Sequence, residues 1–394
     1  MSEGQAETHP ILRMRERGHR QAAWSELFFD LVFVVVVAQL AHAFAEDLSL
    51  PALWRFVALF ALVWWAWVGE VQYTTRFDSD RDRTKRFLGT VQLARLSVMA
   101  LLVGHGGLER LGWLVVAYVV VRAMQLLELW RAARYVPEAR GFARHYLLWQ
   151  GTGLALWLAA LALPPSLRLV GWGLAFAIEL GSYVAGRRLH REHPPHVTHV
   201  PERFGLFTIL VLGESFAAIA TGLGHAPLGL ASLGMVTLGV LVAVGLWWTY
   251  FDRLDDDAVR ALEGQGRTAP YLIWLWAHLP LSLGLAGTGA ALSRTLGDHP
   301  IPQAPAWLAG MLALYFAAEM VVCATTVGAG LPALRVSAGV LARGAAGLAL
   351  VALGALVPAP RVVLLGAALT VWIVVAADLV ERAARVRLRA SAPP

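Results

Sequence analysis

Long apolar runs alternate with short polar separators along the whole chain, and the runs set the architecture. A helix crosses a bilayer core with about 20 predominantly apolar residues. Twelve stretches qualify, at roughly 25–44, 52–73, 87–104, 111–129, 145–163, 167–186, 204–223, 229–251, 270–293, 305–327, 337–357 and 361–380. Several separators carry proline, as in "LPPS" at 163–166 and "HPIPQAP" at 299–305. The pattern predicts an all-α integral membrane protein of about twelve transmembrane helices, with no soluble domain. Basic tails, 1–23 and 381–394, flank the spans.

Charge orients this map. Arg55, Arg110, Arg168, Arg294 and Arg361 fall on one side, and Arg95, Arg122 and Arg343 lie within spans. Every other Lys and Arg falls on the side that holds both tails. Basic loops stay inside, so both termini are expected to be cytoplasmic. The net charge of +6 then reflects topology, not a nucleic-acid partner. Only 15% of residues are charged, against about 25% in soluble domains. The 16 Trp suit membrane–water interfaces. The single cysteine, Cys323, excludes an intramolecular disulfide and any multi-cysteine metal site, and its apolar run predicts a buried thiol. The polar start and full-length first run read as no cleavable signal peptide.

The opening stretch "ELFFDLVFVVVVAQLAHAF" (26–44) has an echo in "ERFGLFTILVLGESFAAIA", which starts at residue 202. Glu26 and Phe28 align with Glu202 and Phe204; Phe77-Asp78 aligns with Phe251-Asp252 at nearly the same offset. The echo predicts two six-helix repeats, 24–186 and 204–380, joined by a His-containing linker, 187–203. Six is even, so the repeats would be parallel, an arrangement that places sites at the repeat interface.

Four stretches, "WSELFFDLVFVVVVAQLAHAF" (24–44), "WWAWVGEVQYTTRFDSDR" (64–81), "HVPERFGLFTILVLGES" (199–215) and "WWTYFD" (247–252), resemble the signature blocks of the bacterial low temperature requirement protein A (LtrA) family. The resemblance implies a polytopic protein of the bacterial inner membrane. The family name records a cold-growth phenotype and implies no substrate. The opening helix also resembles that of potassium channels built from two six-helix repeats, where this helix lines the pore. "FFDLVF" departs from their Phe-Ser-Asp start, and the second copy, "FGLF", has no acid at the matching position.

Ionisable groups inside a membrane mark candidate sites. Glu26, Asp30, Phe33 and Val37 form one helix stripe with both carboxylates at its cytoplasmic end. Two readings stand: an inner-leaflet salt bridge to Arg95 or Arg122, or an acidic mouth that binds cations. Glu214 falls near the midplane, beside Gly213, which permits close helix approach, and Ser215, which adds a hydroxyl. Gln39 is opposite Ser215 in the repeat alignment, and His42, one turn on, is either a proton relay or a packed residue. Glu70 divides evenly between site and structure. Glu179 and Glu319 are mid-span acids, whereas Glu128 and Asp378 lie close to Arg131 and Arg382 and read as salt-bridged. Arg343 is expected to snorkel.

Two acidic clusters, "FDSDRD" (77–82) and "FDRLDDD" (251–257), are either charged loop caps or a magnesium-diphosphate site, although Arg76, Arg81, Arg83, Lys85 and Arg86 crowd the first. His190, His193, His196 and His199 recur every third residue and would share a polyproline-II face, giving a solvated loop or a metal site. No sequence motif calls for a cofactor. The leading expectation is a transporter or channel for a small solute or ion. Glu214 would bind or couple, Glu26 and Asp30 would form the mouth, and Gln39 and Glu70 would line it. The alternatives are a membrane enzyme acting on lipid or prenyl diphosphate, and a non-catalytic envelope protein needed in the cold.

Overall fold

The computed structural model describes residues 13–14, 24–78, 87, 89–91, 111–223, 229–253, 267–297, 301–326 and 337–390. The expected third span, 87–104, and most of both acidic clusters lie outside the described residues, as do Arg95 and nearly all of the N-terminal tail.

Twelve helices are described: α1 (Trp24–Glu46), α2 (Leu50–Thr74), α3 (Leu111–Tyr135), α4 (Arg140–Leu161), α5 (Pro165–Ala185), α6 (Arg187–Glu192), α7 (His199–Leu223), α8 (Leu230–Phe251), α9 (Thr268–Leu296), α10 (Ala304–Thr326), α11 (Ala338–Leu356) and α12 (Pro360–Ala390). Ten of them are long and apolar enough to cross a membrane; α4 and the short α6 are the exceptions. A two-residue antiparallel ladder pairs β1 (Arg13–Met14) with β2 (Phe77–Asp78). The chain is thus an all-helical, multi-pass membrane protein.

Helix starts follow local chemistry. Ser49 caps α2, its Oγ accepting from Ala52 N at 3.3 Å, with Pro51 in the first turn where no N–H is needed. Ser337 caps α11 in the same way, accepting from Val340 N. Prolines 165 and 360 open α5 and α12.

The chain forms two compact units. The first comprises 1–39, 61–203 and 259–268; in it α4 packs on both α3 and α5. The second comprises 40–60, 204–258 and 269–394; in it α12 packs on α8, α10 and α11, and α10 packs on α11. Helix α1 shows how sidedness is set in the first unit. Glu26, Asp30, Phe33 and Val37 are buried, while Phe28, Leu31 and Val35 are 45–56% exposed. An exposed apolar face of this kind is what lipid would cover. Three tryptophans of α2 depart from the interfacial expectation, whereas Trp54, Trp113 and Trp130 are more than half exposed. Trp64, Trp65 and Trp67 are fully buried because two of their indole N–H groups serve carboxylates in the interior.

Candidate functional site

At the start of α1 the two expected carboxylates are held by Arg203, which by its place in the sequence is one of the basic residues of the cytoplasmic side. Arg203, fully buried in the first turns of α7, donates Nε to Asp30 Oδ2 at 2.9 Å and a second nitrogen to Asp30 Oδ1 at 2.5 Å. Trp67 Nε1 donates to Asp30 Oδ1 at 2.8 Å. Arg203 also reaches Glu26 Oε1 at 3.6 Å and donates to Thr74 Oγ1 at 3.3 Å. His199 lies between Glu26 and Glu202, with ring nitrogens 3.1 and 3.2 Å from their carboxylates. Glu70, buried one turn before Thr74, adds its negative charge to the field on Arg203. The acidic end of α1 is therefore charge-compensated, with Arg203 as counter-ion in place of Arg95 or Arg122. Spacing along the chain gives no sign of this partner, because 173 residues separate it from Asp30.

Arg122 serves a different acid. It pairs with Glu179 at 2.8 Å, both fully buried. Glu179 also accepts from Trp65 Nε1, Tyr118 OH and Trp157 Nε1 at 2.9–3.0 Å. Each carboxylate oxygen is satisfied, so this mid-span acid knits α2, α3, α4 and α5 together.

Beside this network the four helices leave a pocket with about 370 Å³ of empty space, open solvent included. Its polar wall is Gln72 and Tyr73 from α2, Gln125 from α3, Tyr146 and Gln150 from α4, and Tyr183 from α5. Gly69 completes the floor: a methyl group there would come within 2.6 Å of the Arg122 guanidinium and 2.7 Å of Gln125 Oε1. Gln150 is 5% exposed and lines the pocket. None of the three glutamines was among the expected site residues. The available signal is an amide inside an apolar span, as at Gln39.

Groups behind the wall orient it. A guanidinium only donates. Arg76 donates to Gln72 Oε1 and Arg122 to Gln125 Oε1, both at 2.5 Å, so the amide NH₂ of each is turned away from the guanidinium. Gln125 uses one such hydrogen on Ala66 O at 2.7 Å. Arg76 also donates to His190 Nδ1 at 2.9 Å, so the proton of His190 sits on Nε2 and is given to Tyr146 OH at 2.6 Å. Burial, then the Arg76 charge, then His145 hold the His190 pKa well below the ordinary histidine value, in keeping with a neutral ring. Tyr146 accepts from His190 and so donates its own proton elsewhere. Arg76 itself is 1% exposed. Its remaining acceptors are the His193 and Gln72 carbonyls, and it lies 5.0 Å over the Phe142 ring. No carboxylate pairs with it among the described residues.

Over residues 21–377 the chain matches the family described as Bacterial low temperature requirement A protein (LtrA). The chain belongs to the LtrA family. A relative, the uncharacterized protein RA0937 of Rhizobium meliloti (strain 1021), is 27% identical over 312 residues, covering 75% of this chain and 74% of its own. The stretches that carry the LtrA resemblance build the first unit's polar interior. Residues 24–44 supply Glu26 and Asp30, residues 64–81 supply Trp67, Gln72 and Arg76, and residues 199–215 supply His199 and Arg203.

The other residues singled out in the LtrA chain divide sharply. Glu214 is half-buried and has no hydrogen bond or ion pair among the described residues. Ser215 is buried, its hydroxyl has no hydrogen-bond partner among the described residues, and Gly289 of α9 packs against it. Gly213 faces open space, so close approach happens at Gly289 instead. Gln39 is half-buried. His42 is exposed beside Glu46 at 3.5 Å, a surface pair. Arg343 does not snorkel: it is fully buried between Glu319 at 2.9 Å and Asp378 at 2.8 Å, where two carboxylates repay its desolvation. Asp378 also binds Arg253 at 2.6 Å, while Arg382 takes Asp252 at 2.7 Å. The histidine segment is not a solvated loop. His190 lies in α6 and His199 opens α7, and both are buried. Among the described residues no group of three or more His, Cys, Asp or Glu could hold a metal. Cys323 is buried, as its apolar run predicts.

Proposed function

We propose that this LtrA protein is a channel or transporter for a small solute, and that the pocket among α2–α5 is where the solute binds. The observation that carries this reading is the polar lining itself: amide and phenol side chains from four helices, Gln150 among them, meet around one pocket. The acids at the start of α1 then act as a structural lock, and solute binding passes to the amides and phenols. Glu214, the described membrane acid without a partner, is the proposed coupling group.

The wider frame belongs to the same proposal. The ten membrane-length helices, α4 and the 87–104 stretch make twelve spans. Both termini lie in the cytoplasm, and the two halves are copies. A parallel between the fourth spans supports the duplication. Tyr118 and Arg122 in "YVVVR" match Tyr315 and Glu319 in "YFAAE" in spacing. Each tyrosine hydroxyl reaches a buried carboxylate, Glu179 at 2.9 Å and Glu319 at 3.3 Å, and each of these acids pairs with an arginine.

The test is reconstitution of the purified protein into liposomes and measurement of small-solute flux by osmotic and ion-sensitive assays. Wild type should carry a solute. Gln150→Leu should abolish that flux, and Glu214→Gln should remove its dependence on a proton gradient. Equal flux through wild type and Gln150→Leu would take the pocket out of the pathway.

A further inference from the structure

We infer that Glu26, His199 and Glu202 form a proton-binding site, in which the imidazole carries hydrogen on both ring nitrogens and ties the start of α7 to the start of α1. The inference is independent of the pocket among α2–α5. Nε2 of His199 lies 3.1 Å from Glu26 Oε2, and Nδ1 lies 3.2 Å from Glu202 Oε2. A neutral imidazole has one N–H and one lone pair, and an ionised carboxylate only accepts. With a neutral ring, one nitrogen lone pair would face a carboxylate oxygen at hydrogen-bond distance. Whatever else the two carboxylates touch, that contact is repulsive. One further proton turns it into a hydrogen bond, and the ring then donates in both directions. The proton belongs on the ring because free imidazole is the stronger base, with a pKa of about 6.5 against about 4.3 for a free glutamate.

Burial makes this pairing matter. The side chains of His199 and Glu26 are 1% and 6% exposed, so water does not screen their contact. Glu202 is 37% exposed and gives the proton a route between solvent and the ring. Among the described residues, the charged and titratable groups around the ring come from three segments. Glu26 comes from α1, Glu202 and Arg203 from α7, and His196 from the segment before α7, its ring centroid 6.3 Å from that of His199. Arg203 stands 3.6 Å from Glu26 Oε1, so His199 and Arg203 hold opposite oxygens of one carboxylate. Charge-assisted hydrogen bonds are roughly twice as strong as neutral ones. The charged ring therefore fastens α1 to α7 beside the Arg203–Asp30 pair. Loss of the proton leaves a single ring N–H for two carboxylates, and one of the two contacts opens.

Nitrogen NMR reads the ring directly, on the full-length protein isotope-labelled at histidine nitrogen and glutamate carbon and reconstituted in lipid. At about pH 7.5 a free histidine is roughly nine-tenths neutral. His199 should instead show two protonated ring nitrogens, each close to a labelled carboxylate, and the signal should vanish in His199→Gln. Glu202→Gln should reverse the state. The amide can turn its NH₂ toward Nδ1, a neutral ring then satisfies both neighbours, and the doubly protonated form should become the minor one. If His199→Gln does not fold, the wild-type ring is still identified by its two carboxylate contacts, and Glu202→Gln changes only a partly exposed side chain. One protonated and one bare nitrogen on His199 in the wild type overturns the proton site. So does a doubly protonated ring that Glu202→Gln leaves unchanged, or the absence of any ring with carboxylates at both nitrogens.

Discussion

Replacing Asp30 by Asn tests whether the Arg203 lock holds the first unit together. Three donors converge on this carboxylate: Arg203 Nε, a second Arg203 nitrogen and Trp67 Nε1, at 2.5–2.9 Å. Asparagine keeps the shape and one acceptor oxygen. If that oxygen replaces Oδ1, it serves Trp67 and one guanidinium nitrogen, and the new NH₂ faces Arg203 Nε, donor against donor. At least one charge-assisted bond is lost, about 1.5–3 kcal/mol, and Arg203 loses its closest counter-charge. Breaking a buried ion pair by removing one partner costs about 3–5 kcal/mol. Glu26 remains at 3.6 Å, so the lower end applies, about 3 kcal/mol. Arg203→Met should cost at least as much, because it strands Asp30 with a single indole donor. The double substitution removes both charges and should recover most of the loss, giving a coupling energy above about 2 kcal/mol. Unfolding in mixed SDS micelles, followed by tryptophan fluorescence, supplies the four free energies. Additivity within about 0.5 kcal/mol would refute the lock.

Three further outcomes follow from particular contacts. In the second unit Arg343 faces two carboxylates, so Glu319→Gln leaves Asp378 as its counter-ion and should cost about 1 kcal/mol, while Arg343→Leu strips Glu319 of its arginine, leaves Asp378 with Arg253 alone, and should cost more than about 3 kcal/mol in the same unfolding assay. His190 has its pKa lowered by burial and by Arg76, so it stabilises the fold above the ordinary histidine value and loses that contribution as pH falls below it. Between pH 7 and 5 the wild type should lose stability at up to about 1.4 kcal/mol per pH unit below 6.5, and His190→Gln should flatten that slope; parallel slopes would sink the assignment. A methyl at Gly284 would meet the backbone of α10, 2.8 Å from Tyr315 N and 2.9 Å from Met311 O, whereas one at Gly287 meets the flexible Met311 side chain. Gly284→Ala should therefore cost about 3 kcal/mol and Gly287→Ala less than about 1, measured by thermal midpoint.

Much of the site was beyond reach from sequence for a common reason. The spans were legible because apolar length is a local property, and nearly every long run became a helix. Asp30 stood out because a carboxylate in an apolar run is locally anomalous. Its partner Arg203 did not, because an arginine at the edge of a polar segment looks like any other basic loop residue. The same holds for His190 and His199, which look solvated in "HREHPPHVTH" and are buried in the fold. Gln72, Gln125 and Gln150 carry no charge, so hydropathy alone passes over them, and their meaning depends on which guanidinium holds which amide oxygen.

The sequence by itself determined that this LtrA chain is helical and membrane-embedded, because a bilayer admits only segments that satisfy their own backbone hydrogen bonds across its apolar width. It also determined which helices carry acids. Tertiary structure alone decided which acids are neutralised, by Arg203, Arg122 and Arg343, and that Glu214 has no ion pair among the described residues. Pairing is decided by contacts between residues far apart in the chain, and the energy of a buried charge depends almost wholly on what lies within a few ångströms of it.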